Sequence, residues 1–203
     1  MKDRIILFGG TFDPVHLGHT TVAAFAAEQI GADEVVFIPA KRSPHKNVFP
    51  VASGASRAEM LRLAVAGNAK FSVSSCELER PDPSYTAETV SMFAGRYGPE
   101  SQLYWLVGAD AVGDLALWHR AEHVLDMCNL CVMYRSGYPK PDFSQLEHLG
   151  AERVEKLSKH VLATPFVDIS STEIRRKLVA AEDVSGLLSP AVLDYIEKNG
   201  LYR

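Results

Sequence analysis

The order of apolar segments predicts an α/β fold with an open parallel sheet and helices on both faces. Continuous apolar runs of strand length at residues 5–8, 34–39 and 102–108 are typical of strands buried on both faces. Segments with the apolar period of a helix lie between them at 17–30 and 55–66. Strands that alternate with helices of this length form βαβ units with right-handed crossovers.

The other predicted elements follow the same alternation. They are, in chain order, a strand at 71–74, a charged loop at 77–84, a helix at 86–97, a helical stretch around 115–125, a strand at 129–134, a loop at 139–142, a strand at 160–164 and helices at 172–181 and 190–198. Ser189 is the predicted N-cap of the last helix. We therefore expect one Rossmann-like domain over residues 1–203, with a helical C-terminal subdomain from about residue 170.

Composition indicates an ordinary globular protein. Hydrophobic residues make up 47% of the 203 residues and charged residues 23%. The 21 basic and 25 acidic residues give a net charge of −4, which predicts no nucleic-acid partner and no membrane partner. The apolar run after Arg4 is too short for a signal peptide, and three cysteines do not indicate a disulfide framework. We expect a cytoplasmic protein.

The loop after the first predicted strand is a candidate anion site. It contains glycines, which allow backbone to approach a ligand closely, and it leads into a predicted helix start. Unpaired N–H groups and the helix dipole favour negative charge there. His16 and His19 share one face of that start. One histidine could cap the helix and the other pack, but two imidazoles beside a glycine loop favour phosphate chemistry.

Two other segments could bind phosphate. Residues 41–46 form a basic loop after the second predicted strand, in an acidic protein, although such loops are commonly just solvated. In residues 168–176, Ser170 and Glu173 have the spacing of a capping box, and Arg175 lies one turn into the helix. That segment can be read as ordinary capping with solvated arginines, or as a second anion site.

A third group of candidates follows later strands and loops. Ser84 or Thr86 could cap the helix that starts near residue 86, and Trp118 could be a buried core residue. Asp110 follows a strand that ends at Gly108, a placement that suits a ribose-hydroxyl acceptor in an α/β nucleotide site. Trp is also the best aromatic face for a cationic ring.

Several of these motifs together resemble one enzyme family. Residues 9–19 read Gly-Gly-Thr-Phe-Asp-Pro-Val-His-Leu-Gly-His, which resembles the signature of the nucleotidylyltransferase superfamily and, in its long form, of the nicotinate mononucleotide adenylyltransferases. Residues 169–175 are similar to the Ile-Ser-Ser-Thr-x-Ile-Arg motif of those enzymes, and residues 84–86 to their Ser-Tyr-Thr. The resemblance implies the reaction of ATP with nicotinate mononucleotide to give nicotinate adenine dinucleotide and pyrophosphate.

The resemblance also implies roles for individual residues. His16 and His19 would contact the phosphates at the reacting centre, and Lys46, Ser171 and Arg175 would stabilise the leaving pyrophosphate. Ser43 stands where relatives usually have proline, so the loop before Lys46 is expected to be less rigid. The implied ATP-binding residues are Gly9, Gly10, Thr11, Phe12, Gly108, Asp110, Ile169, Ser170 and Ser171.

The implied acceptor site and metal complete this expectation. Backbone amides at Thr86 and His119 would receive the nicotinate carboxylate, and Trp118 would face the pyridine ring. Mg²⁺ would accompany ATP, held mostly by phosphates and water, because the sequence does not suggest a carboxylate cage. No protein metal ligand is expected, and strand geometry argues against the Cys128 and Cys131 pair.

Other interpretations stay open at this point. The same transfer could use nicotinamide mononucleotide, phosphopantetheine or a phosphorylated polyol as acceptor, or the chain could be a nucleotide-binding sensor without catalysis. The intact set of His16, His19, Lys46 and Arg175 argues against a sensor. Arg57 has no predicted role beyond a salt bridge. A homo-oligomer stays open because the sequence does not indicate the oligomeric state.

Overall fold

The computed structural model describes residues 3–44, 49–135, 139–165 and 167–203. Six strands in these ranges form one sheet in the order β3-β2-β1-β4-β5-β6. The strands are β1 (Arg4–Gly10), β2 (Glu34–Pro39), β3 (Phe71–Val73), β4 (Gln102–Gly108), β5 (Asn129–Arg135) and β6 (Val161–Thr164).

Parallel pairing confirms the predicted fold class. Strand β4 pairs in parallel with β1 and with β5, and β5 pairs in parallel with β6. The middle residues of β1, β2 and β4 are buried, as expected for strands covered on both faces. Chain order and sheet order differ in the Rossmann-like way, because β1 lies at the centre and the strands that follow it are added on either side.

Eight α-helices lie between and after the strands within the described residues. They are α1 (Leu17–Ile30), α2 (Gly54–Val65), α3 (Cys76–Glu79), α4 (Thr86–Tyr97), α5 (Ala121–Met127), α6 (Ala151–Lys159), α7 (Ser171–Val179) and α8 (Pro190–Lys198). The hydroxyl of Ser189 caps α8 by accepting from Val192 N, as predicted. None of the described helices is long and apolar enough to cross a bilayer.

The residues divide into two compact units. One comprises Met1–Gly9, Phe25–Val35 and Tyr85–Phe166. In it, α4 packs on β4 and α5, and α6 packs on β5. The other comprises Gly10–Ala24, Val36–Ser84 and Val167–Arg203, and in it α2 packs on α8. They are called the strand-four unit and the loop unit below.

Two sequence predictions of local structure are wrong, and one helix was not predicted. The expected helix at 115–125 is two pieces, a 3₁₀ turn at Leu115–Leu117 and α5, because Trp118 is extended and Arg120 adopts a left-handed φ of 56°. Helix α6 was not predicted, because its nine residues include few apolar ones. The predicted loop at 77–84 begins inside the short helix α3.

Two further expectations about loops and caps also need correction. Gly9 and Gly10, expected in the loop, end strand β1. Neither Ser84 nor Thr86 is the N-cap residue of α4; that residue is Tyr85, whose side chain makes no capping bond. Ser84 Oγ instead accepts from Lys41 N at 3.0 Å.

Candidate active site

Helix α1 begins with two stacked histidines in the loop unit. The ring centroids of His16 and His19 lie 3.7 Å apart, with 30° between their planes. The backbone N–H of His16 donates to Nδ1 of His19 at 3.2 Å. Because Nδ1 of His19 accepts this bond, a neutral His19 carries its proton on Nε2 and can donate from that nitrogen.

His16 is buried and neutral. Its side chain is 8% exposed, and burial lowers its pKa to about 4. Its Nδ1 has no hydrogen-bond partner in the described part of the chain. A buried polar nitrogen without a partner is costly, and such a cost needs an explanation, which a role in function can supply.

Gly18 is required by the way the His16 ring folds back over the helix. A Cβ placed on Gly18 would lie 3.0 Å from Nδ1 of His16 and 3.1 Å from Cγ1 of Val167. A larger residue would therefore push the imidazole out of its position. This contact gives a physical reason for glycine between the two histidines.

The loop that precedes His16 is held by hydrogen bonds from two side chains of α7 to its backbone carbonyl groups. Arg175 Nη1 donates to the carbonyl of Asp13 at 2.6 Å, and Ser171 Oγ donates to the carbonyl of Pro14 at 2.9 Å. The ring of Phe12 is buried and meets the edge of His19 at 5.0 Å. Any contact of Phe12 with ATP would therefore come from its backbone, which has a left-handed φ of 48°.

Arg57 is a buried cation that holds three loops. Its guanidinium, 2% exposed, donates to the carbonyls of Thr11 and Ala40 at 2.7 Å and to that of Ala52 at 3.3 Å. Burial lowers its pKa, and the nearby carboxylate of Asp13 acts in the opposite direction. The expected salt bridge is thus replaced by hydrogen bonds to backbone carbonyls.

Helix α7 begins as predicted at its N-cap. Ser170 Oγ accepts from Glu173 N at 3.2 Å, and Ser171 is the first helical residue. Ile169 is half-buried just before this cap. The hydroxyl proton of Ser171 is committed to Pro14, so what Ser171 can offer an anion is its backbone N–H.

The basic segment after β2 is described only in part. Lys46 lies outside the described residues. Lys41 Nζ donates to the carbonyl of Arg80 at 2.8 Å, and Arg42 forms an ion pair with Asp82 at 2.8 Å. These first two cations of the segment therefore interact with residues 80–82.

The strand-four unit holds the other candidates. Gly9 ends the part of β1 in this unit, and a Cβ on Gly108 at the end of β4 would overlap Oδ1 of Asp110. Trp118 is half-buried and is not part of the core, which removes the buried-core interpretation. The ring centroids of His119 and Tyr85 lie 4.4 Å apart. Tyr85 is the residue just before Thr86, the first residue of α4.

Among the described residues, no group of three or more His, Cys, Asp or Glu side chains could hold a metal ion. Asp13 lies in the loop at residues 11–16, which we call the phosphate loop after its predicted role. Its carboxylate accepts from Val51 N, Ala52 N and the Tyr202 hydroxyl. Cys128 and Cys131 are buried, and burial raises the pKa of each thiol to about 12.

Comparison with known proteins identifies the family. A family model described as cytidylyltransferase-like matches residues 7–177. A probable nicotinate-nucleotide adenylyltransferase of Thermus thermophilus is 44% identical over 200 residues, which cover 98% of this chain and 100% of that protein. One of Moorella thermoacetica is 37% identical, covering 98% and 92%. The chain belongs to the nicotinate-nucleotide adenylyltransferase family.

A solved structure agrees with the fold of this adenylyltransferase family. The nicotinic acid mononucleotide adenylyltransferase of Plasmodium falciparum, complexed with NaAD, superposes with a TM-score of 0.74 at 19% identity. The match covers 98% of this chain and 97% of that one. At this identity the likeness concerns the fold alone.

Three residues with structural roles near the histidines were not assigned by the sequence. They are Asp13, Arg57 and Tyr202, which join the phosphate loop to segments 38 to 189 residues away. Asp13 lies inside the family signature, and Arg57 is a charged residue close to the apolar positions of α2, so both carried a weak signal. Nothing local pointed to Tyr202.

Proposed function

We infer that this chain transfers the adenylyl group of ATP to nicotinate mononucleotide. The phosphate of the mononucleotide attacks the α-phosphorus of ATP, the bond from that phosphorus to the β-bridging oxygen breaks, and pyrophosphate leaves. The observation that carries this inference is the stacked pair His16 and His19 at the start of α1, with a buried nitrogen that lacks a described partner, in a member of this family.

The reaction needs positioning and charge stabilisation more than proton transfer. A phosphate monoester at neutral pH is largely deprotonated already, with a second pKa near ~6, so it needs no general base. His16 is neutral at that pH, since its pKa is about 4. In our proposal His19 donates to the phosphates from Nε2, since its Nδ1 already accepts from the backbone N–H of His16.

Positive charge must then come from elsewhere. Arg175 donates to the carbonyl of Asp13 at 2.6 Å and to the hydroxyl of Thr172 at 3.5 Å, and in our proposal the remaining donors of its planar guanidinium bind phosphate oxygens. The N–H groups at the start of α7, including that of Ser171, add the helix dipole. Lys46 supplies a second cation in this proposal.

Mg²⁺ would bind with ATP rather than in a protein cage. Magnesium prefers octahedral oxygen ligands and commonly keeps several waters while binding substrate phosphates. The Asp13 carboxylate is already engaged by three donors, which fits an ion held by the triphosphate. When bound, Mg²⁺ neutralises charge on the leaving pyrophosphate.

Recognition of the acceptor is proposed for the strand-four unit. Helix α4 begins at Thr86, and its N-cap residue Tyr85 makes no side-chain capping bond, so the start of this helix suits a carboxylate. Trp118 is accessible enough to stack on a pyridinium ring, and the His119 amide is the next donor along the chain. These features favour nicotinate over the neutral nicotinamide.

The adenosine ribose is assigned to the end of β4. Asp110 is exposed and its carboxylate lies directly over Gly108, where a side chain would displace it. A carboxylate at the carboxyl end of a parallel strand is a common acceptor for ribose hydroxyls.

One experiment tests the proposed function. Pyrophosphate release is measured with ATP and Mg²⁺ and, in parallel, nicotinate mononucleotide, nicotinamide mononucleotide, phosphopantetheine or a phosphorylated polyol. We expect the highest kcat/KM with nicotinate mononucleotide. A higher value with another acceptor would contradict our substrate assignment, and ATP binding without pyrophosphate release from any acceptor would identify a sensor.

A further inference from the structure

We propose that Asp13 is a positioning residue for adenylyl transfer, and that the hydroxyl of Tyr202 holds it in place. This proposal rests on the proposed function and adds to it the pair of residues that sets the position of the phosphate loop. In this proposal Asp13 acts through His16, three residues later, and does not touch the reacting atoms.

The Asp13 carboxylate is a buried junction of three segments. It is 4% exposed and accepts from Val51 N at 2.7 Å through Oδ2. Its Oδ1 accepts from Ala52 N at 3.1 Å and from the Tyr202 hydroxyl at 2.7 Å. One side chain thus fixes the segment before α2 and the segment after α8 against the phosphate loop.

The main chain around Asp13 is held by a separate set of contacts. Arg57 donates to the carbonyl of Thr11, Arg175 to that of Asp13, and Ser171 to that of Pro14. In the loop from residue 11 to residue 14, the residues at 11, 13 and 14 therefore each accept at least one hydrogen bond from a distant part of the chain. Few positions are left for this loop and for the His16 ring that follows it.

The burial, backbone conformation and protonation of Tyr202 all suit its hydrogen bond to Asp13. Its side chain is 6% exposed, and its backbone has a left-handed φ of 61°, which non-glycine residues adopt at a cost. Burial and the neighbouring Asp13 carboxylate raise its pKa, so the phenol stays protonated and donates. A costly backbone conformation and complete burial are consistent with a residue whose role is its hydroxyl contact.

Position matters at this loop because the chemistry depends on geometry. The histidines act by aligned hydrogen bonds, and a displacement of ~1 Å at a reacting centre can cost about 100-fold in rate. Without the Tyr202 bond the Asp13 carboxylate keeps only its two backbone donors, and a shift of this side chain would reach His16 through Pro14 and Val15. The effect is expected on kcat, because it changes the transition state more than substrate binding.

Tyr202→Phe tests the proposal because it removes only one oxygen. We expect kcat to fall about tenfold, since a hydrogen bond to a charged group corresponds to about one order of magnitude. The KM for nicotinate mononucleotide should change less than threefold. Tyr195→Phe makes the same chemical change on α8, where the residue is half-buried, and should keep wild-type kcat.

A double-mutant cycle separates positioning from stability. Asp13→Asn keeps the size of the side chain but cannot accept from all three donors, and it should lower kcat more than Tyr202→Phe does. In the Asp13→Asn background, adding Tyr202→Phe should change kcat less than twofold. Where Asp13→Asn does not fold, Tyr202→Phe and Tyr202→Leu are compared, and phenylalanine should retain more activity.

Specific outcomes would overturn the proposal. If Tyr202→Phe lowers the unfolding midpoint but leaves kcat within twofold of wild type, the contact is purely structural. Additive effects in the double mutant would mean that the two residues act independently. A wild-type protein that releases no pyrophosphate from ATP and nicotinate mononucleotide would instead refute the proposed function, which keeps the two failures distinct.

Discussion

The rings of His16 and His19 stack with centroids 3.7 Å apart, and the backbone N–H of His16 binds Nδ1 of His19. Each histidine therefore constrains the other: the backbone of one fixes the tautomer of its partner, and the stack keeps both rings on the first turn of α1. Because burial keeps the His16 ring neutral at neutral pH, that ring adds no positive charge beside His19.

Replacing His19 tests its role at the reacting phosphates. His19→Ala should lower kcat by a factor of ~10² to 10³, corresponding to about 2.7–4 kcal/mol for loss of a donor to developing charge. Its unfolding midpoint should change little. Pyrophosphate release measures the effect, and His148→Ala, which alters an exposed histidine, is the control. Near-normal turnover of His19→Ala would remove it from the reaction.

Acid should destabilise the protein through His16. Its pKa is about 4 when folded and about 6.5 when unfolded, so the unfolded chain binds the proton more readily between these values. The stability present above pH 6.5 is lost as the pH falls toward 4. Between pH 7 and 5 we expect a loss of about 2 kcal/mol that His16→Gln lacks, measured by urea unfolding of both proteins. If the unfolding free energies of wild type and His16→Gln change with pH in the same way, the pKa of His16 is not lowered by folding.

Substituting Gly18 should separate activity from stability. Gly18→Ala places a methyl 3.0 Å from the His16 ring, and we expect kcat to fall about tenfold as the ring shifts. Gly95→Ala on α4 is the matched control, because a Cβ at Gly95 would have no atom of another described segment within 4 Å. It should gain ~0.5–1 kcal/mol in stability with unchanged kcat. Equal kcat in both variants would argue against a precise requirement for the His16 position.

The role of Trp118 predicts an unequal effect on the two substrates. Trp118→Ala should weaken nicotinate mononucleotide binding by ~0.5–2 kcal/mol, the usual range for a cation over an aromatic face, and leave ATP binding nearly unchanged. Titration calorimetry with each nucleotide measures both. Leu117→Ala, at a neighbour that is 76% exposed, serves as control. Equal losses for both nucleotides would indicate a general packing role.

Arg57 should stabilise the folded protein through the three backbone carbonyls that it binds. Arg57→Lys keeps the charge but loses the fork that reaches three carbonyls, so we expect a destabilisation of about 1–3 kcal/mol. Arg62→Lys on the same helix, where the exposed side chain pairs with Glu59, should cost less than ~0.5 kcal/mol. Chemical unfolding of both variants gives the comparison, and equal costs would show that the carbonyl contacts contribute little.

Sequence periodicity predicted most of the fold because buried strands and helices carry local signals. Strands β2 and β4 and helices α4 and α8 have the predicted bounds. The break at Arg120 was missed because a left-handed residue other than glycine leaves no trace in an apolar pattern.

Helix α6 was missed for a different reason. Its place depends on distant partners: Arg153 pairs with Glu122 and Asp126, and Lys156 donates to the carbonyls of Leu125 and Cys128. Such contacts join residues about 30 positions apart, so no local window shows them.

The residues of the candidate site likewise fall into those that local motifs identify and those that depend on distant segments. The motif residues could be named from the sequence, because glycines, histidines and helix caps act within a few positions of each other. The contacts of Asp13, Arg57 and Tyr202 could not, since each depends on chain folding over tens of residues or more. The assigned binding roles of Gly108, Asp110, Thr86, Trp118, His119 and Lys46 stay predictions that the proposed experiments address.

The phosphate loop is made early in synthesis, yet its partners are made late. The residues that hold it, Ser171, Arg175 and Tyr202, follow their partners by 157, 162 and 189 positions. A growing chain that ends before residue 202 therefore cannot complete these bonds, however well its sheet has formed. The loop at residues 11–14 therefore gains its contact with Tyr202 only when almost all of the sequence has been synthesised.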